Sequence, residues 1–253
     1  MSVYPLTDPK DVDAVTGHLP GIRAIFQKNG QQTFLADNLL ALGRVFSFSR
    51  DSAFMTAFQT FSRGGEDDQK LWRVYVYCWA ARSALTVAGD FVECGVFRGL
   101  YSAVMTKYVE FQRLPKRLFL YDTFRGLPET ASSQPERDRV GRGYQETGTY
   151  EAVVDRFGLY ANVEVVRGIV PEVFAKRCPD RVALLHLDLN AAQAEVGALE
   201  GLFERISPGG LILLDDYGRQ EHGLLHEAHA AWFAARGLMA LELPTGQGLV
   251  IKR

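Results

Sequence analysis

The segments Val182-Ala183-Leu184-Leu185-His186-Leu187-Asp188 and Leu211-Ile212-Leu213-Leu214-Asp215-Asp216 are two apolar runs that end in carboxylates. Runs this apolar are typical of parallel strands buried on both faces. A carboxylate is costly to bury, and the carboxyl ends of strands in open α/β sheets are where ligands bind. The sequence therefore predicts that Asp188, Asp215 and Asp216 meet at one edge of a sheet, where they can hold a hard divalent cation such as Mg²⁺.

The chain from Asp90 onward alternates strand-like and helix-like segments, which predicts an α/β fold with a parallel sheet. The turn formers Pro244-Thr245-Gly246-Gln247-Gly248 then separate two last strands, which predicts an antiparallel hairpin. Five parallel strands followed by such a hairpin are typical of a class I methyltransferase, a Rossmann-like sheet, rather than of a six-stranded dehydrogenase. The predicted strands are Asp90–Gly95, Arg117–Asp122, Asn162–Arg167, Val182–Asp188, Gly210–Asp215, Leu238–Leu243 and Gly248–Lys252.

The segment before Asp90 reads as helical, so we expect a helical N-terminal extension over residues 1–88 and a catalytic domain over residues 89–253. Apolar residues recur at helical spacing at Leu35, Leu39, Leu42 and Phe46, and they do so again between Leu71 and Leu85. An aromatic cluster in this extension is either core between helices or a contact surface, and the second alternative predicts a homo-oligomer or a lid. The cluster consists of Phe46, Phe48, Phe54, Phe58 and Phe61.

Composition excludes several classes of partner. The 253 residues are 47% hydrophobic and 23% charged with a net charge of −2, so nothing indicates binding to nucleic acid. Residues Met1–Lys10 lack a signal pattern, and the most apolar long segment, Leu71–Ala88, contains arginines and predicts a packed helix rather than a membrane span. Three widely spaced cysteines form no metal or disulfide motif, which favours a cytoplasmic location.

A nucleotide-type loop lies in Phe91–Gly99, where a strand leads into a tight glycine turn and a helix. Gly95 and Gly99 frame Val96-Phe97-Arg98, and Asp122 ends the next strand, where a carboxylate can bind the two ribose hydroxyls of a nucleoside. A dinucleotide fingerprint needs a third glycine, which is missing here. A ligand without phosphates, S-adenosylmethionine, therefore fits better than NAD(P).

Further residues are predicted to contact this cofactor. Glu93 is expected near the ribose and methionine region, or else to be a structural carboxylate bonded to backbone N–H groups. Tyr101 and Ser102 are candidates for binding the amino-acid tail, and Gly168 and Ile169 for contacting the adenine. The full predicted cofactor set is Glu93, Gly95, Phe97, Arg98, Gly99, Tyr101, Ser102, Asp122, Thr123, Gly168 and Ile169.

The general base has two candidates. A metal at the aspartates would lower the pKa of a substrate hydroxyl and orient it, and Asp188 can accept the proton. His222, which follows the last parallel strand, is the alternative, whereas His226 and His229 read mainly as a polar helix face. The polar stretch from Arg125 to Tyr150, with Arg137, Arg139 and Arg142, is either a lid or a flexible insertion.

Three segments together resemble the macrocin O-methyltransferase family over roughly residues 65–220. They are Gly89–Gly99, Tyr121-Asp122-Thr123-Phe124-Arg125-Gly126-Leu127-Pro128, and Ser207–Gly210 continuing through Asp215-Asp216-Tyr217-Gly218. The resemblance implies the class I methyltransferase fold, S-adenosylmethionine and Mg²⁺. It also implies that Asp188, Asp215 and Asp216 are the metal ligands, with Asp188 as the base.

The resemblance further implies an O-methyltransferase for a hydroxyl of a sugar or glycosylated small molecule. The segment Asp188–Glu195 departs from the Asp-Leu-Tyr-Glu-Ser-Thr pattern of the family, so an antibiotic sugar and a glycan precursor are equal candidates for the acceptor. Two other functions remain as alternatives: an NAD(P)-dependent oxidoreductase and a methyltransferase-like module that binds ligands without catalysis.

Overall fold

The computed structural model describes residues 8–141 and 143–253. Residues 1–7 and Arg142 lie outside the described ranges. The expectation that the N-terminus has no signal sequence falls on residues 1–7, and Arg142 is part of the polar stretch from Arg125 to Tyr150. The chain divides into two compact units between Trp72 and Arg73, earlier than the predicted boundary after residue 88. No helix within the described ranges has the length and apolar character needed to cross a membrane.

The first unit is not all helical, which corrects the prediction for its middle part. Leu35, Leu39 and Leu42 belong to an antiparallel hairpin, because Asp37 and Asn38 between the strands both adopt positive φ angles, 50° and 60°. Two consecutive residues with positive φ match the twist of a tight hairpin, and Asp and Asn tolerate this conformation. The elements are α1 (Pro9–Lys28), β1 (Thr33–Ala36), β2 (Leu39–Leu42), α2 (Ser52–Phe61) and α3 (Glu66–Gln69).

Aromatic rings fill the interior of this unit. Phe46 and Phe48 pack against Phe34 and Trp72, with ring centroids 5.1–6.2 Å apart. Phe46 and Phe48 are buried, so the core reading of these two residues agrees with the structure.

The second unit contains a seven-stranded sheet, and the predicted five parallel strands with a C-terminal antiparallel hairpin are confirmed. The strand order is β5-β4-β3-β6-β7-β9-β8. Helix α4 (Leu71–Ser83) leads into this unit. The strands are β3 (Asp90–Cys94), β4 (Leu118–Asp122), β5 (Val163–Arg167), β6 (Val182–Leu187), β7 (Ile206–Leu214), β8 (Leu241–Glu242) and β9 (Gly248–Ile251). The remaining helices are α5 (Leu100–Tyr108), α6 (Gln134–Val140), α7 (Thr149–Phe157), α8 (Ala192–Leu202) and α9 (Gly223–Ala234).

Helices cover both faces of the sheet because side chains alternate along each strand. Leu185 faces a core cluster that includes α8 and α9, whereas its neighbour His186 faces the other side and stacks on Tyr77 of α4 with centroids 4.6 Å apart. Strand order reverses between β3 and β6, which both lie at the centre of the sheet. In such sheets, the ligand crevice opens at the carboxyl ends of the strands beside this reversal.

Candidate cofactor pocket and acid cluster

Strand register places four predicted site residues side by side. Cys94 is level with Tyr121 on one side and with Leu187 on the other, and Leu187 is level with Leu214. The residue after each of these is therefore at the same edge of the sheet. These four residues are Gly95, Asp122, Asp188 and Asp215.

A cleft lies at this edge and encloses about 660 Å³ when the open solvent at its mouth is included. Six of the predicted cofactor residues line it: Gly95, Phe97, Asp122, Thr123, Gly168 and Ile169. Its other lining residues are largely apolar and come from the segments that follow β4, β5 and β6, including the start of α8: Phe124, Gly126, Leu127, Pro128, Tyr144, Val170, Asp188, Leu189, Asn190, Ala191 and Ala194.

Asp122 organises the glycine turn, a role that the sequence interpretation missed. Its Oδ2 accepts hydrogen bonds from the backbone N–H groups of Val96 and Phe97 at 2.7 and 2.8 Å. Its Oδ1 accepts one from Phe124 N–H at 2.6 Å. A carboxylate oxygen can accept two hydrogen bonds, so Oδ1 retains capacity for one ligand hydroxyl.

Gly95 is required by the close approach of two loops. Its φ is +92°, and a Cβ at this position would lie 1.9 Å from the carbonyl oxygen of Asp188. No side chain fits such a distance. The glycine thus allows the β3 and β6 ends to meet, which brings the cofactor cleft next to Asp188.

The other five predicted cofactor residues make contacts elsewhere and are not among the residues that line the cleft. Glu93 is 1% exposed and accepts hydrogen bonds from Ser102 Oγ and, at 3.2 Å, from Tyr77 OH. Its burial raises its pKa to about 7. Tyr101 OH donates to Asp215 Oδ2 at 3.2 Å. Arg98 forms an ion pair with Glu146, and Gly99, with φ +71°, lies close to the Phe157 ring.

The three predicted metal ligands converge. One carboxylate oxygen each from Asp188, Asp215 and Asp216 lies within 4.8 Å of the other two. Asp215 is 2% exposed and Asp216 is 7% exposed. Both follow the end of β7, so the chain turn lets two consecutive side chains face the same site, as the sequence predicted.

Arg73 is the main feature of this cluster that sequence reasoning missed. Its Nη2 donates to Asp216 Oδ1 at 2.8 Å, to the carbonyl of Asp215 at 2.9 Å and to Asp215 Oδ2. Gln247 Nε2 donates to Asp215 Oδ1 at 2.8 Å. Burial acts to raise the pKa of Asp215, but Arg73, His186 and Gln247 together outweigh it and hold that pKa well below its usual range.

The charge of the cluster suits one divalent ion. Three carboxylates and one guanidinium sum to −2 when ionised, and an all-oxygen donor set is what Mg²⁺ prefers. Asp188, whose Oδ1 accepts a hydrogen bond from Asn190 Nδ2 at 3.2 Å, lines both the cleft and the cluster. The residues present therefore fit a magnesium ion adjacent to the cofactor cleft.

Of the three histidines after β7, His222 is the one near the acid cluster. Its Nε2 is 3.7 Å from Asp216 Oδ2, and burial lowers its pKa. His226 Nδ1 contacts the carbonyl of Tyr217 at 2.8 Å. His229 is fully buried with Nε2 3.2 Å from Glu195 Oε2, so its assignment to a polar helix face was wrong.

The fold is that of the class I methyltransferases, with the cleft at the strand-order reversal and the predicted cofactor residues at its edge. A family model described as Macrocin-O-methyltransferase (TylF) matches residues 76–240, and the chain belongs to this family. The resemblance read from the three sequence segments is thereby confirmed.

Relatives and solved structures agree with this assignment. The chain is 31% identical over 150 residues to 8-demethyl-8-(2,3-dimethoxy-alpha-L-rhamnosyl)-tetracenomycin-C 4'-O-methyltransferase of Streptomyces olivaceus, covering 56% of this chain and 58% of that protein. The structure of the O-methyltransferase NovP superposes with a TM-score of 0.61 at 18% identity, covering 72% of this chain and 80% of that one. CalS11, a calicheamicin methyltransferase, superposes with a TM-score of 0.58 at 16% identity, covering 82% and 93%. The chain spans little more than half the length of the curated relatives it matches.

Proposed function

We propose that this protein is an S-adenosylmethionine-dependent, Mg²⁺-assisted O-methyltransferase that acts on a hydroxyl of a sugar or glycosylated small molecule. The main support for the proposal is the strand register, which puts four residues side by side at one edge of the sheet: Gly95, Asp122, Asp188 and Asp215. The cleft that Gly95, Asp122 and Asp188 line is next to a group of three carboxylates, to which Asp188 also belongs. The named relatives, which include a rhamnosyl 4'-O-methyltransferase, support the choice of a sugar hydroxyl.

Each part of the cleft has a distinct task in this proposal. Asp122 binds a ribose hydroxyl through the remaining acceptor capacity of Oδ1. Leu127, Ile169 and Ala194 provide an apolar surface for the adenine. Bound there, S-adenosylmethionine would supply an electrophilic methyl group whose transfer to the acceptor oxygen leaves S-adenosylhomocysteine.

The acid cluster serves the acceptor. Asp188, Asp215 and Asp216 would hold Mg²⁺, which would supply a Lewis acid that lowers the pKa of the acceptor hydroxyl. Asp188 is placed to take the proton, because it lines both the cleft and the cluster. His222 is the alternative base beside Asp216. Fixing acceptor and cofactor next to each other contributes much of the expected rate.

The first experiment separates this proposal from its alternatives. Calorimetry with S-adenosylhomocysteine and, separately, with NADH is expected to show binding of the first ligand alone. Incubation with S-adenosylmethionine, Mg²⁺ and a panel of methyl glycosides should release S-adenosylhomocysteine and give products heavier by about 14 Da. Binding of NADH alone would favour an oxidoreductase, and cofactor binding without any product would favour a non-catalytic module.

The metal is tested by a matched pair of variants. Asp188→Asn should abolish turnover and the binding of Mn²⁺, followed by its paramagnetic resonance, while calorimetry still shows cofactor binding. Asp155→Asn changes an exposed aspartate of α7 in the same way and should leave all three unaffected. Full turnover of the unaltered protein in EDTA would refute the metal. The predicted homo-oligomer is a separate expectation, which light scattering on the purified protein tests.

A further inference from the structure

Tyr144 lies at the junction between the cofactor cleft and the acid cluster. It lines the cleft together with Gly95 and Asp188. Its ring meets that of Phe97 edge-on, with centroids 4.9 Å apart and an interplanar angle of 86°. The sequence interpretation gave this tyrosine no role, because it lies in a polar stretch without a recognisable motif.

One residue before Tyr144 in the sequence and one after it hydrogen-bond to segments at the cleft. Before it, Arg139 Nη2 donates to the carbonyl of Asn190 at 2.9 Å, in the loop that follows Asp188. After it, Glu146 Oε2 accepts from Arg98 Nε at 2.8 Å, at the glycine turn. One anchor is on the acid-cluster side of the cleft and the other is on the glycine-turn side, and Tyr144 lies between them in the sequence.

Helix α6 reinforces the first anchor. Glu136 is 2% exposed, and its Oε1 accepts a hydrogen bond from Ala192 N–H at 2.7 Å. Arg139 Nη1 also donates to the carbonyl of Glu221 at 3.2 Å. The helix is therefore fixed to the loops after both β6 and β7, which carry the aspartates.

The phenol of Tyr144 lies within the field of the acid cluster. Its burial, followed by the negative charges of Asp188 and Asp216, raises its pKa well above the usual value for tyrosine. The hydroxyl consequently keeps its proton throughout the neutral range and is available as a hydrogen-bond donor. It is unsuited to be the general base.

A methyl acceptor has to contact both the cofactor in the cleft and the base at the cluster. Tyr144 lines the cleft together with Asp188, so an acceptor held at Asp188 is within the same cleft as this phenol. We propose that Tyr144 is a specificity-determining residue that donates a hydrogen bond to a second oxygen of the acceptor, on the carbon next to the one being methylated. This assignment rests on the proposed function, and it predicts a preference for vicinal diols over isolated alcohols.

The test is a cycle of two changes, one in the protein and one in the acceptor. For a methyl glycoside that the unaltered protein methylates, kcat/KM is measured with that glycoside and with its analogues that lack one neighbouring hydroxyl. Tyr144→Phe should lower kcat/KM about tenfold for the parent glycoside, mainly through KM, and less than twofold for the analogue that lacks the contacted hydroxyl. Removal of an uncharged donor to a bound oxygen typically has an effect of this size.

Two controls separate a direct contact from a structural one. Tyr150→Phe changes a tyrosine outside the cleft lining and should leave kcat/KM unchanged. The dissociation constant for S-adenosylhomocysteine and the melting temperature of Tyr144→Phe should match those of the unaltered protein.

The outcomes distinguish this assignment from the proposed function. Equal losses for the parent glycoside and all analogues, unchanged kcat/KM, or a weakened cofactor complex would overturn the role of Tyr144 while methyl transfer stands. Failure of the unaltered protein to form S-adenosylhomocysteine with any glycoside would overturn the proposed function and this assignment with it.

Discussion

Arg73 Nη2 lies 2.8 Å from Asp216 Oδ1, and the same nitrogen also donates to Asp215. Arg73 is 7% exposed, so this cation and both carboxylates are removed from water together. Of the residues that donate to Asp215 from distant parts of the chain, Arg73 and Gln247 lie outside the segment that matches the family model, whereas Tyr101 lies inside it. The acid cluster therefore depends on contacts beyond the family motifs.

Replacement of Arg73 by methionine should destabilise the second unit by about 3–5 kcal/mol, because it leaves buried carboxylates without their cation. Denaturant unfolding measures this loss. Arg82→Met, on the exposed side of the same helix, should change the unfolding free energy by less than about 1 kcal/mol. Addition of Asp215→Asn to Arg73→Met should recover part of the loss. Equal effects of Arg73→Met and Arg82→Met would show that the buried ion pair contributes nothing.

The buried carboxyl of Glu93 should make the free energy of unfolding depend on pH. Its burial raises its pKa in the folded protein to about 7 from the ordinary value of 4.5, so between these values the folded state binds the proton more strongly than the unfolded state. The stability contribution is complete below about pH 4.5 and is lost as pH rises through about 7. The difference corresponds to about 3 kcal/mol. Denaturant titrations between pH 5 and about pH 8 should show this fall, and Glu93→Gln should remove most of it. A variant with the same slope as the unaltered protein would contradict the assignment to Glu93.

The sequence predicted the sheet and its acidic edge because each depends on a local pattern. Apolar runs ending in Asp188 and Asp215 specify both the strands and the residues at their ends. The β1–β2 hairpin was missed because its leucines are spaced like those of a helix, and the signal for the turn was the Asp37-Asn38 pair. Arg73 meets Asp215 across 142 positions of the chain, and no local periodicity encodes such a contact.

Some side-chain contacts at the predicted site could not be read from residue type. Glu93 and Ser102 are predicted near the cofactor tail, and in the structure they bond to each other in the core. Asp122 lines the cleft, and it bonds to Phe97 N–H, whose residue has a positive φ of 47° that the residue type does not reveal.

Gly95→Ala should disrupt the candidate site far more than an ordinary glycine substitution. The added Cβ would lie 1.9 Å from the Asp188 carbonyl, so the ends of β3 and β6 would have to separate. Gly148→Ala is the matched control, because Gly148 has a similar φ of +81° with no atom within 4 Å of the added Cβ. The control should lose only the cost of a left-handed alanine, about 1–2 kcal/mol. Gly95→Ala should lose clearly more stability in denaturant unfolding, together with S-adenosylhomocysteine and Mn²⁺ binding in calorimetry. Similar losses for both variants would show that the close contact with Asp188 is not maintained.

Asp122 accepts hydrogen bonds from the glycine turn and lies at the proposed ribose site. Its replacement by asparagine tests how far cofactor binding depends on its negative charge. Asparagine has the same shape and keeps one acceptor oxygen, but it loses the charge that receives hydrogen bonds from Val96, Phe97 and Phe124. A charge-assisted hydrogen bond contributes about 1.5–3 kcal/mol, so Asp122→Asn should weaken S-adenosylhomocysteine binding more than tenfold in calorimetry. Asp122→Ala should weaken it at least as much and also lower the melting temperature, since the turn then loses all three hydrogen bonds. Asp90→Asn, at the opposite end of β3, where Asp90 Oδ1 accepts from Arg117 N–H at 2.8 Å, should leave cofactor affinity unchanged. A dissociation constant unaffected by Asp122→Asn would place the ribose elsewhere in the cleft, because no ligand bound to that carboxylate can be indifferent to its charge.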